Sequence, residues 1–113
     1  MQYYSEEEAQ ALREAFEKHV LYWPKVTTRR MFGCPAYLVD GRLFAFLVTG
    51  GVVITQLRLK DRQLLAEENT TEPFKAGERT IERWTQVAVD DPKALGRIMG
   101  FVRTSYQTAA NVG

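Results

Sequence analysis

Apolar positions along the chain follow two rhythms. Over residues 9–20 they recur at three and four, so Ala9, Leu12, Phe16 and Val20 make one stripe of an amphipathic helix. Ser5-Glu6-Glu7-Glu8 reads as its start: Ser5 can cap, Glu8 can reach back to the Ser5 amide, and acids suit the positive end of the helix. Pro24 ends the pattern, which predicts a helix from Ser5 to Leu21. Tyr3, Tyr4, Tyr22 and Trp23 flank it and are expected to anchor it to a sheet.

From Val26 the helical rhythm stops. Val26 to Phe32 reads as a strand, and Gly33-Cys34-Pro35 as a bend, since Gly permits positive φ and Pro cannot donate to a ladder. Ala36 to Val39 resumes the strand. Asp40-Gly41 predicts a tight hairpin, because a type I′ turn needs positive φ at both positions. The continuous apolar run Leu43 to Val48 reads as a central strand covered on both faces. Thr49-Gly50-Gly51 turns the chain, and Val52 to Leu57 returns as a strand.

Leu59 to Glu68 predicts a short helix with Leu64 and Leu65 inward. Asn69 to Pro73 breaks it. Phe74 to Ala76, Gly77 and Thr80 to Val89 predict a second hairpin, with Ile81, Thr85, Val87 and Val89 on one side and Trp84, Gln86 and Ala88 on the other. Asp91-Pro92 starts a last helix whose stripe is Leu95, Ile98, Met99, Val102 and Tyr106. Residues 108–113 are expected to form a frayed tail.

The order is helix, three to four strands, short helix, two strands, helix. Short turns between strands argue an antiparallel sheet, and two long amphipathic helices need a face to cover. The expected fold class is α+β, a two-layer antiparallel sheet covered by helices, in a single domain spanning residues 1–113.

Charge changes this picture little. The net value is +1. Residues 25–62 carry seven basic residues against Asp40 and Asp61, and acidic stretches flank them. That basic middle could meet an anionic partner, but solvated strand faces explain it as well, and the weak net charge argues against nucleic acid. No run is long and apolar enough for a membrane span, no apolar leader follows Met1, and no membrane partner is expected. A single cysteine excludes an intramolecular disulfide framework, and the default compartment is cytoplasmic.

Cys34 is the most tempting residue chemically. Arg29 and Arg30 precede it by five and four positions, and a nearby cation can lower a thiol pKa. The sole histidine, His19, lies in the first helix with nothing to bring it to Cys34, and free cysteine is most often simply packed. One Cys and one His do not make a zinc set, and Gly50-Gly51 joins two strands rather than a strand and a phosphate-cradling helix. No cofactor and no catalytic residue is predicted. Arg29 and Arg30 should point to opposite faces, pairing with a helix glutamate such as Glu14 or Glu17 or serving a partner's anionic groups. Arg83-Trp84 has the composition of an interaction hot spot, unless Trp84 packs under a helix.

Five segments in order resemble the N-terminal domain of the TfoX/Sxy competence-regulator family. They are Thr28-Arg29-Arg30-Met31-Phe32-Gly33, Tyr37-Leu38-Val39-Asp40-Gly41-Arg42-Leu43-Phe44-Ala45, Glu72-Pro73-Phe74, Arg83-Trp84 with Val87, and Asp91-Pro92-Lys93-Ala94-Leu95. They span Val26 to Tyr106. The resemblance implies a sheet-and-helix fold like that of secretion chaperones, a bacterial cytoplasmic protein and no established catalytic residues. Two positions depart from the pattern: Cys34 stands where the family usually has a second Gly, and Pro35 is rare at the next. Full-length regulators carry a C-terminal domain, and this chain is expected to be a stand-alone version.

The resulting expectation is a non-enzymatic binding or regulatory module acting through protein–protein contacts, with an unknown protein partner or a homodimer. Its candidate binding residues are Arg29, Arg30, Arg83 and Trp84. The alternative is a small-molecule binder or enzyme using Arg29, Arg30 and the thiol of Cys34. A weaker alternative is DNA binding in transcriptional or competence regulation.

Overall fold

The computed structural model describes residues 2–111. Helix α1 is Glu6–Val20, followed by strands β1 Val26–Met31, β2 Cys34–Val39, β3 Arg42–Val48 and β4 Gly51–Ile54. Helix α2 is Leu59–Glu68, strands β5 and β6 are Thr71–Ala76 and Arg79–Ala88, a 3-10 segment covers Pro92–Arg97, and α3 is Met99–Ala110. All six strands form one antiparallel sheet in the order β1-β2-β3-β4-β6-β5. The fold is the α+β class expected from the pattern.

The α1 stripe of Ala9, Leu12, Phe16 and Val20 is buried as predicted. The capping box does not form. Ser5 makes no side-chain cap, and its amide donates to the Thr49 hydroxyl at 2.8 Å, which ties the helix start to the β3–β4 turn. Tyr3, Tyr4 and Trp23 pack as expected, whereas Tyr22 is exposed.

The bend at Gly33-Cys34-Pro35 is a tighter feature than predicted. Phe32 and Gly33 both have positive φ, 55° and 77°, so they are the two-residue turn of a hairpin closed by Met31 opposite Cys34. Cys34 and Pro35 belong to β2. Pro35 is tolerated because it precedes the first β2–β3 pair, Ala36 with Phe46, and faces β1 at a non-hydrogen-bonded position. The Asp40-Gly41 turn is as predicted, with φ of 51° and 76°.

The two sheet faces follow from register. Tyr37, Ala45 and Ile54 are cross-strand neighbours, and the Tyr37 ring lies 5.0 Å from Phe16 of α1, which fixes the helix-covered face. Ala36, Phe46 and Val53 therefore face the other way. Tyr37 pairs with Ala45 but Leu38 with Leu43, so Phe44 is a bulged extra residue. The bulge turns Phe44 onto the helix face, against Tyr106 of α3 and Trp23.

The second face is filled by aromatic side chains rather than by a helix. Tyr3, Phe32, Phe46, Phe74 and Trp84 contact one another with ring centroids 5.0–6.5 Å apart. Phe32 closes the β1–β2 hairpin and Phe74 sits on β5 at the far margin, so the sheet curls until its two ends meet on this face. A second irregularity pairs Pro73 with Thr85 but Phe74 with Ile81. Ile81 therefore shares a face with Phe74 and Trp84 rather than with Thr85 and Val87, because the extra residues reverse the alternation.

Other differences are local. Leu65 is buried but Leu64 is exposed, and Leu65 is the one residue that α2 buries. The last helix divides: Asp91 caps a 3-10 segment by accepting from the Lys93 amide, and α3 begins after Ile98. The apolar stripe Leu95, Ile98, Met99, Val102 and Tyr106 stays buried across the break. Helix α3 continues through Thr108, buried Ala109 and Ala110, so the expected tail is helical there; residues 112 and 113 lie outside the described residues.

The Ser105 hydroxyl fastens α3 to the sheet. It donates to the carbonyl of bulged Phe44 at 2.6 Å and accepts the Gln56 amide at 3.0 Å. Ser105→Ala should therefore orphan the Gln56 N–H and cost about 1–3 kcal/mol in urea unfolding. A loss under about 0.5 kcal/mol would show that α3 is held by packing alone.

Candidate functional site

The predicted site residues fall into two groups at different places. Arg29 and Arg30 are exposed on β1, at one margin of the sheet. Arg83 and Trp84 lie on β6, two strands beyond β3.

The closing pair Met31–Cys34 sets which backbone groups of β1 are free. In a two-residue hairpin that pair is hydrogen-bonded, and alternation then makes Arg29–Ala36 and Thr27–Leu38 bonded as well. The N–H and C=O groups of Thr28 and Arg30 consequently point away from β2, with no strand beyond them among the described residues. Thr27 to Arg30 are all exposed. Arg30 donates to the Gly33 carbonyl at 3.0 Å, steadying the turn. Neither Arg29 nor Arg30 forms an ion pair among the described residues, so the expected bridge to Glu14 or Glu17 does not form; Glu17 pairs with Arg13 and accepts from Tyr37, and Glu14 accepts from Gln10.

Alongside β1 runs a shallow groove of about 500 Å³, bounded by Thr28, Arg29, Arg30 and Pro35 on one side and by α1 on the other. The α1 wall is a fork: Arg13 bridges Glu6 at 2.8 Å and Glu17 at 2.9 Å. Glu6 also accepts from the Tyr4 hydroxyl, and Glu17 from the Tyr37 hydroxyl at 2.8 Å. The Arg13 hydrogen bonds, then that of Tyr4, hold the Glu6 carboxyl down to about 2. Burial, then the Glu6 carboxylate, pushes Tyr4 up to about 12. Burial and the bond to Glu17 likewise raise Tyr37. Both phenols stay protonated and serve as donors that fix the fork.

Cys34 is fully buried in the core. Burial pushes its thiol up to about 11, and the lowering by Arg30 does not offset this. Its Sγ lies 3.7 Å from the Phe32 carbonyl within the hairpin. His19 is exposed on α1. The geometry supplies a packed small side chain at Cys34 and no partner base for it.

Trp84 is half-buried. Its ring packs edge-on to Phe46 at 5.5 Å and lies tilted 6.1 Å from Phe74, on the face opposite α1 and α3. It is a packed residue with one margin reaching a cleft of about 520 Å³, which Arg83, Arg58 and Arg62 also line. Arg58 and Arg62 belong to no sequence motif; the signal the sequence carries is their four-residue spacing at the start of α2, which puts them on one helix face. No group of three or more His, Cys, Asp or Glu among the described residues is placed to hold a metal.

Two measurements check this description. Cys34 of the native protein should react with a disulfide reagent at pH 8 only as fast as the chain opens, since its side chain has no exposed surface, and burial, which pushes the thiol up to about 11, slows it further; stoichiometric labelling within seconds would contradict the packing. The Glu6 pKa is depressed, so its stabilising contribution is present above the unfolded carboxylate value and lost as pH falls through about 2. Glu6→Gln should thus lower Tm at pH 7, with the gap from wild type closing between pH 5 and pH 2. A pH-independent gap would mean that the fork stabilises by packing rather than by charge.

No family model, curated protein or solved structure matches this chain.

Proposed function

We propose that this chain is a non-enzymatic binding module of the TfoX N-terminal-like kind, acting through protein contacts, and that its contact element is the open edge of β1. A bacterial cytoplasmic setting belongs to the same proposal and rests on the resemblance alone. The observation that carries the binding mode is the contrast between the two margins of the sheet. At the β5 margin, Pro73 removes a donor and the Pro73/Phe74 irregularity breaks the ladder, both familiar protections of an edge. At the β1 margin there is neither proline nor bulge over Val26–Met31, and the outward groups of Thr28 and Arg30 pair with no strand among the described residues.

An extended segment could add to β1 as a seventh strand, its main chain bonding Thr28 and Arg30 while it lies in the groove along α1. Arg29 and Arg30 set the chemistry of the partner. They disfavour pairing with the like-charged edge of a second copy and favour a strand carrying Asp or Glu. The enzyme alternative at Arg29, Arg30 and Cys34 has less support, because the thiol is buried and raised rather than activated.

Thr28→Pro separates this reading from others. It removes one outward N–H and leaves the β1–β2 bonds intact, so Tm should stay within a few degrees of wild type. Tagged wild-type protein should capture a partner from lysate of the source cells, identified by mass spectrometry, and Thr28→Pro should lose it. Hydrogen exchange on the purified pair should show the Thr28 and Arg30 amides newly protected. A partner retained by Thr28→Pro would move the contact off this edge, and no partner for the wild type would overturn the module reading.

A further inference from the structure

The cleft beside Trp84 is independent of the β1 edge and has its own chemistry. It opens where β4 runs out into α2. Its charged lining consists of Arg58, Arg62 and Arg83, and no Asp or Glu lines it. Arg58 and Arg83 are exposed and form no ion pair or hydrogen bond through their guanidinium groups among the described residues. Arg62 is held by one bond, Nη1 donating to the Leu57 carbonyl at 2.7 Å, and its remaining donors have no partner among the described residues. Acids stand in adjoining recesses: Asp61 shares one with Arg58, and Glu72 and Glu82 share another with Arg62. None lies within ion-pairing distance of these arginines.

The cleft is built on fixed elements. Between the pairs Thr85–Pro73 and Ile81–Phe74, residues Glu82, Arg83 and Trp84 have no cross-strand partner. Bulges of this kind re-aim side chains, and this one brings Arg83 and Trp84 to the cleft. Phe46 and Phe74 lock the Trp84 ring. The Trp84 indole N–H has no protein acceptor among the described residues and is not a fully buried orphan donor. Arg58 and Arg62, one helical turn apart, line the cleft together with Gln56, whose amide is bonded to Ser105.

Three guanidinium groups with no carboxylate among them form a receptor for a multiply charged anion. The planar fork of arginine matches phosphate oxygens pairwise, and an indole edge adds a donor and an apolar wall. A volume of about 520 Å³ suits a small molecule rather than a single ion. We propose that this cleft binds a small phosphorylated molecule, gripped through its phosphate groups by Arg58, Arg62 and Arg83 and flanked by Trp84.

The probes are inorganic pyrophosphate and ATP, titrated into the full chain at constant ionic strength. Calorimetry gives the stoichiometry, and Trp23→Phe leaves Trp84 as the sole indole for fluorescence. Saturable one-to-one binding of either probe is expected, with a Trp84 signal. Arg58→Gln and Arg83→Gln, both at exposed positions, should each weaken it at least about tenfold. Arg29→Gln and Thr28→Pro should leave it unchanged, so failure here is distinct from failure at the β1 edge. No saturable binding of either probe up to about 10 mM would overturn the proposal. So would an equal loss with Arg29→Gln, which would mark non-specific attraction. A single-stranded oligonucleotide whose affinity grows with length and exceeds that of ATP would replace the small ligand with a nucleic acid.

Discussion

The carbonyl of Phe44 is the point on which the two layers depend. A bulge in β3 leaves it unable to join a regular ladder on both sides, and it instead accepts from the Thr55 amide at 3.2 Å and the Ser105 hydroxyl. The same bulge swings the Phe44 ring onto Tyr106 and Trp23, where Arg103 stacks 4.8 Å over the Trp23 ring. One extra residue in a strand therefore creates both the polar and the aromatic seat for α3. Because Ser105 also accepts the Gln56 amide, the seat extends to the segment that leads into α2 and floors the arginine cleft. A buried hydrogen-bonded node of this kind contributes more through the cost of leaving it incomplete than through any single bond.

A sheet of this size with only one helix-covered face would expose a wide apolar surface. Curling solves the problem. Phe32, Phe46, Phe74, Tyr3 and Trp84 meet on the second face, drawing its margins together, and Tyr3 adds a bond from the Gly77 amide at 2.7 Å. The β-strand irregularities at Phe44 and at Pro73/Phe74 supply the bending that a regular ladder resists. Both irregularities also border the places where chemistry is exposed. The β6 irregularity delivers Arg83 and Trp84 to the cleft, and the curl leaves the β1 edge beside α1 without sealing it.

Two surfaces of different character result. The β1 edge offers oriented main-chain groups and arginines to an extended chain. The cleft is lined by three guanidinium groups, none of them in an ion pair among the described residues, which suits the compact anion proposed for it. They share no lining residue, so the two proposed contacts can be tested apart.

Local patterning determined the elements. Helical spacing marked the buried faces of α1 and α3, Asp40-Gly41 fixed a hairpin, and the run Leu43 to Val48 marked a strand covered on both sides, because these features act over a few residues. The resemblance to a family was also carried by short segments in order. Tertiary structure decided what depended on residues far apart. Phe32-Gly33 became a turn rather than Gly33-Cys34-Pro35 a bend, because Pro35 could be accommodated only where β3 had not yet paired. Ile81 changed sides through a register break that single-strand alternation does not reveal. Cys34 is buried, and burial raises its thiol against the lowering by Arg30, a property of the assembled sheet rather than of its arginine neighbours. Arg58, Arg62 and Arg83 became one site only because the fold sets the start of α2 beside a bulge in β6, two segments more than twenty residues apart along the chain.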